Sequence, residues 1–360
     1  MSVDTVIVSL VSIGIGAGLG AGSKYLFDIR FLDRQLKRQH NQRERDKLRE
    51  LISKYQGRVL EAALDWDRRM VQIYDGQFKD LKPGIDNREK SEQYYYQSVV
   101  FRFLQLTAIA RRFEMEAFYI KADIANKEDF DLLRYAKSFL WVMIHAEITP
   151  DDGQPGAEHF RSDAFRPFLD LCYAIDKDER KKPILPEVRS RHGELIFDWR
   201  RFLALLDKKK SLRCENEVNE LLDFFDGVCP DEQRTDGSPR RRWDRLVALH
   251  LLVLAFIGTC GYDWDSRDLN ERTEQAAGML LFPDDLRREF KLWLPRLGLA
   301  AKKEITYIED ALERNRDRNQ SNEGRAKRVV DRVGAERPPP AALGPRRRFY
   351  RRTAREVSPR

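Results

Sequence analysis

Residues Thr5 to Ser23 form nineteen consecutive positions without a charge, TVIVSLVSIGIGAGLGAGS. No other feature of the chain restricts its architecture as strongly. As a helix rising 1.5 Å per residue, the stretch would span roughly 28 Å, close to the roughly 30 Å hydrocarbon core of a bilayer. The expectation is a single transmembrane helix, with Lys24 reaching the headgroups and Tyr25 and Phe27 at the interface. A secretory signal peptide fits less well, because it carries basic residues ahead of its apolar run and only Asp4 stands there. A helix buried in a soluble core would need covering sequence ahead of it, and too little precedes Thr5. Residues 24–50 hold nine Lys/Arg against five acids, whereas residues 1–23 hold no Lys or Arg. By the positive-inside rule the amino terminus faces outward and the remainder of the chain is cytoplasmic.

Glycines punctuate the run at Gly14, Gly16, Gly18, Gly20 and Gly22. On a helix Gly14, Gly18 and Gly22 share one face, with Gly16 and Gly20 about 160° away. Small residues four apart let helix backbones approach closely, which is what associates helices in lipid. Self-association through this segment is therefore expected. A glycine-rich phosphate loop is the competing reading, but no strand-turn-helix context and no GK[ST] follow.

Behind the run, DRQLKRQHNQRERDKLRE (33–50) has strong helix formers and no Gly or Pro, and is polar all round, as a solvated helical stalk would be. Apolar residues then recur in steps of three and four at Leu48, Ile52, Tyr55, Val59, Ala62, Trp66, Met70 and Ile73. That spacing defines an amphipathic helix ending near Asp75-Gly76. Anchor, stalk and first body helix would thus make one rod of some seventy residues. The expected organisation is an anchor over 1–27, stalk and first body helix over 28–76, a helical body over 77–319 with a seam near 228–242, and a disordered tail over 320–360.

Helical spacing recurs through the body at 92–125, 129–148, 160–176, 187–207, 212–226, 268–281, 284–293 and 300–318, separated by Pro/Gly-containing or charged segments. A second apolar run, LVALHLLVLAFIGTCGY (246–262), is seventeen residues long and contains His250. It is short for a span, and a second crossing would export the basic tail, so a central buried helix is expected. No run of alternating apolar residues stands out. The fold class is all-α: a transmembrane helix continuing into a stalk, then a multi-helix cytoplasmic bundle and a basic tail. Apolar residues make up 42 % of the chain, enough for a core, while a mean hydropathy of −0.62 excludes a wholly membrane-embedded protein.

The formal net charge of +7 is concentrated in the tail. Residues 324–360 hold twelve Lys/Arg and three acids, a net +9, which leaves −2 for the first 323 residues. Arg346, Arg347 and Arg348 precede Phe349-Tyr350, and Arg351 and Arg352 follow. Such a cluster suits anionic lipid when a tether holds it near a membrane, or serves simply as a solubilising tail; nucleic acid ranks third.

Catalytic signatures are thin. His145-Ala-Glu147 and His192-Gly-Glu194 each spell half of the zinc-deaminase pattern without PCxxC, and read better as surface or capping histidines. Asp263, Asp265 and Glu274 fit three places of a calcium loop, but Arg267 and Asp268 occupy two places that the loop needs otherwise. Cys172 and Cys260 lie in apolar stretches as core thiols; Cys214 and Cys229 lie near polar sequence with nothing to activate them, and no CxxC exists. The tryptophans of Asp65-Trp66-Asp67, Asp198-Trp199, Trp243-Asp244 and Asp263-Trp264-Asp265 are expected to point inward with their acids outward. No cofactor and no metal is expected. The leading functional expectation is a non-enzymatic anchored scaffold, sensor or regulatory subunit. A membrane-active effector or channel-like oligomer assembled through the glycine faces is second, and an enzyme whose site is built from residues far apart in sequence is third.

Overall fold

The computed structural model describes residues 3–76, 90–118, 130–145, 160–174, 182–191, 193–229, 241–261 and 266–317, with side chains from 35 onward in the first helix, from 94 in the second and from 269 in the eighth. The chain divides into Met1–Asn315 and Arg316–Arg360, and the helical body is the first of these. The regular structure of the described residues is all helical, with nothing more sheet-like than isolated bridges.

The first helix, α1, runs unbroken over 72 residues from Val3 to Tyr74. Its first side chains to be described, from residue 35 to Lys47, are exposed or only partly covered. From Leu48 the periodic apolar stripe turns into the body: Leu48, Tyr55, Val59, Ala62, Trp66, Met70 and Ile73 are all buried, and Ile52 packs at the edge. A fully buried indole such as that of Trp66 removes about 200 Å² from water, worth about 5 kcal/mol at 25 cal/mol per Å². Gly76 ends the helix with φ +71°, a left-handed conformation that only glycine adopts without strain.

Next come α2 (Lys90–Ala117), α3 (Asp131–Ile144), α4 (Ser162–Leu171), α5 (Trp199–Lys208), α6 (Glu215–Phe225), α7 (Arg242–Cys260), α8 (Ser266–Gly278), α9 (Pro283–Trp293) and α10, over residues 303–317. α2 packs against both α1 and α3, with α4 and α6 on its remaining flank, and α7 lies against α1, α3 and α8. Every residue of α7 from Arg242 to Ile257 is buried, as its length and charge context require of a central core helix.

The helices expected over 129–148 and 160–176 end early, at Ile144 and Leu171, and two further boundaries differ more widely from the sequence reading. The helix expected over 92–125 ends at Ala117, and Phe118 turns out into solvent. No Gly or Pro marks that end. The helix expected over 187–207 begins only at Trp199. Residues 188–191 and 193–196 instead pair in a short antiparallel arrangement, with Arg189 bridged to Leu195 and Ile196 N–H donating to Val188 O at 2.8 Å. Gly193, at φ +79°, closes it, and the Asp198 carboxylate then caps α5 by accepting from Arg201 N–H at 3.0 Å.

Three buried arginines close helix C-termini, where unpaired carbonyls carry partial negative charge. Arg201, fully buried, donates to the carbonyls of Cys172 (3.0 Å) and Ala174 (2.7 Å) after α4, and to Pro186 (2.7 Å). Arg242 holds the end of α6 through the carbonyls of Asp223, Phe224 and Asp226. Arg245 holds the end of α3 through Val142 and His145.

Candidate functional site

Where α1 enters the body, its residues 54–58 meet the last turn of α2, the end of α4 and the turn around Gly193. These surfaces enclose a cavity of about 220 Å³ lined by Lys54, Tyr55, Arg58, Arg112, Glu116, Tyr173, Glu194 and Leu195. Helical periodicity explains the placement. Lys54 and Arg58 are four apart on α1, and Arg112 and Glu116 are four apart on α2, so each pair shares a face.

Glu116 is the hub. Lys54 Nζ donates to its Oε2 at 2.9 Å, while Tyr55 Oη (2.8 Å) and Arg112 Nε (2.9 Å) donate to Oε1. Burial alone would raise its pKa, but hydrogen bonds from Lys54 and Tyr55 outweigh that and hold the carboxyl below the ordinary range. The same contacts lift Lys54 above the usual lysine value against the opposing effect of burial. Glu194 arrives from the turn and pairs with Arg58, with Lys54 Nζ 3.6 Å from its Oε1. Tyr173 forms part of the wall. Burial pushes its phenol far up, so it stays protonated, and its hydroxyl has no hydrogen-bond partner among the described residues. The cavity thus offers donors from three cations and a phenol, and chemically it suits recognition of an anion more than bond cleavage.

A second polar constellation is sealed in the core between α1, α7 and α8. Asp67, fully buried, accepts from His250 Nε2 at 3.0 Å and pairs through its other oxygen with Arg272. A carboxylate only accepts, so Nε2 carries a proton; with the imidazole neutral, Nδ1 receives the Tyr74 hydroxyl at 2.9 Å. Burial, seconded by the Asp67 charge, raises the Tyr74 pKa well above normal, which keeps that hydroxyl a donor. The side chains of His250 and Asp67 are at most 1 % exposed, so this chain ties helices together and does not meet a substrate.

Asp67 and Asp244 correct the expectation that acids beside tryptophan point outward. Trp66 and Trp243 are buried as expected, but Asp67 and Asp244 are buried with them. Asp244 accepts from the N–H groups of Leu281 (2.8 Å) and Phe282 (2.9 Å) ahead of α9, and burial pushes its pKa up to about 6. Neighbours on a helix sit only about 100° apart, so where partners pack on both sides the next residue is covered as well. Asp65 does stay partly exposed, paired with Arg102 and Arg68, and Trp264 lies outside the described residues.

Of the residues singled out from the sequence, Gly14, Gly16, Gly18, Gly20 and Gly22 fall within the backbone of α1, and their surroundings lie outside what is described. Arg346, Arg347, Arg348, Arg351 and Arg352 lie outside the described residues, as do Glu147, His192, Asp263 and Asp265. His145 packs against Trp293 with ring centroids 4.1 Å apart and planes inclined by 58°, and Glu274 pairs with Arg314. Among the described residues no three His, Cys, Asp or Glu side chains gather as a metal site would require. Cys172 is sealed in the core. Burial pushes the Cys214 thiol up to about 11 and that of Cys260 up to about 12, which suits packing and not nucleophilic chemistry. The cavity at Lys54 was not foreseen. Its signal was the four-residue spacing of Lys54 and Arg58 along the edge of the apolar stripe.

Comparison with known protein families, curated proteins and solved structures finds no match to this chain.

Proposed function

We propose that the protein is a membrane-anchored helical scaffold or regulatory subunit whose body stands on the cytoplasmic side. The observation that carries this reading is the uncharged stretch of residues 5–23, long enough for one crossing and followed by a basic flank. Its support from the fold is continuity. The same helix, α1, supplies the stretch and, from Leu48 onward, a wall of the body's core. A change in packing around α1 would then be transmitted along a single rod, with no flexible linker to absorb it. Lys54 lies about thirty residues beyond Ser23, roughly 45 Å along such a helix. The glycine faces at Gly14–Gly22 are the proposed pairing surface between copies, and the arginines around Phe349-Tyr350 the proposed contact with anionic lipid. By length and composition α7 is a candidate span, but 83 % of that window is buried inside the body, which supports reading it as a core helix.

Alkaline carbonate extraction of cells expressing the full chain tests the reading. The protein is expected in the pellet and, after deletion of residues 1–27, in the supernatant. Full-length protein in the carbonate supernatant overturns it.

A further inference from the structure

We infer that the cavity between α1, α2 and the Gly193 turn is a binding site for a small phosphate monoester or inorganic phosphate, whose cations Glu194 engages in the free protein. Three cations line it, Lys54, Arg58 and Arg112, facing two carboxylates. The carboxylates play different parts. Glu116 is engaged on both oxygens by Lys54, Tyr55 and Arg112, and it belongs to the wall. Glu194 makes ion pairs alone, to Arg58 and at longer range to Lys54, from a turn outside the helices. It stands where an anionic ligand would stand. With Glu194 displaced, three cations face one carboxylate, a net +2 that matches the charge of −1.5 to −2 on a phosphate monoester near neutral pH.

Geometry adds donors beyond charge. Arg58 is committed through one terminal nitrogen to Glu194, which leaves the planar fork available for the bidentate contact that guanidinium makes with phosphate. Tyr173 lines the same cavity, and its hydroxyl, without a hydrogen-bond partner among the described residues, is a neutral donor. About 220 Å³ accommodates a phosphate with a short organic stem, and Leu195 and the Tyr173 ring offer that stem apolar surface. Because the cavity straddles α1, occupancy would alter how that helix seats in the body. The inference does not depend on anchoring: a carbonate-soluble protein that binds phosphate would leave it standing.

Isothermal titration of the full-length protein in detergent with inorganic phosphate tests it, with succinate at equal ionic strength as the comparison dianion. Saturable binding of phosphate, tighter than of succinate, is expected. Glu194→Gln removes the internal competitor and is expected to tighten phosphate by about three-fold, on the scale of a partly exposed ion pair. Arg58→Gln is expected to weaken it about ten-fold, as for one lost charge-assisted hydrogen bond. Far-UV circular dichroism melts verify that both variants fold. Absence of saturable phosphate binding by both the wild type and Glu194→Gln overturns the inference. So does unchanged affinity in a folded Arg58→Gln, or succinate binding as tightly as phosphate.

Discussion

Substituting Asp67 probes how α1 is fastened into the body. Asp67→Ala would strand the His250 Nε2–H in a site with almost no solvent, and would take the buried carboxylate from Arg272, whose own side chain is 29 % exposed. Removing one partner of a buried charge pair costs about 3–5 kcal/mol, and the low end of that range applies here because His250 cannot recover water while Arg272 in part can. Asp67→Asn has the same shape and a different donor pattern. Its oxygen can still accept from Arg272, and its amide can donate to Nε2 if the His250 proton moves to Nδ1. Tyr74 would then receive a hydrogen bond in place of donating one. One charge-assisted bond becomes a neutral one, for a cost of about 1–2 kcal/mol. Urea unfolding followed by tryptophan fluorescence should therefore rank wild type, Asn and Ala, with the midpoint falling at constant slope. Nitrogen-15 histidine spectra should show the His250 tautomer exchanged in the Asn variant alone. Equal losses in Asn and Ala, or an unchanged tautomer in Asn, would refute the argument that the carboxylate sets the polarity of this chain.

Other perturbations have definite signs. Asp244 has its folded-state pKa raised to about 6 by burial, from a model-peptide value of 3.8. Its contribution to stability is full below about pH 4 and is lost as pH rises through about 6, a change of about 3 kcal/mol. Asp244→Asn should thus gain about that much relative to wild type between pH 4 and 7; a difference independent of pH would contradict the assigned burial. Arg201→Met keeps the bulk of the side chain but orphans the carbonyls of Cys172, Ala174 and Pro186, and should lower stability by about 3–5 kcal/mol. Arg201→Lys, which reaches fewer of them, should fall between, and a Met variant as stable as wild type in urea would disprove the clamp.

The helices themselves could be read in the sequence because their spacing is local. Leu48 through Ile73 repeats in threes and fours, and the structure buries that face of α1. The same holds for Tyr96 through Ala117 on α2, and Gly76 announces the end of α1. The buried state of α7 followed from its apolar length and from the charge that would otherwise have to cross a bilayer. The turn around Gly193 reads as helix in the sequence because its cause, Gly193 at positive φ with an Arg189–Leu195 bridge, competes with residues that are helix-tolerant one by one.

Which charges would go inside was decided by tertiary structure alone. A period in the sequence reports how one face ranks against water. It carries no information on the carbonyls or charges that a distant segment will bring to meet that face. Arg201, Arg242 and Arg245 are buried because other helices end beside them, and Asp67 because His250 and Arg272 come to it across some two hundred residues of chain. The cavity at Arg58 exists for the same reason: Glu194 lies 136 positions away and reaches it only once the body has folded. Desolvating a charge is costly unless a partner is already in place, and that partner is a property of the packed chain and not of the local spacing.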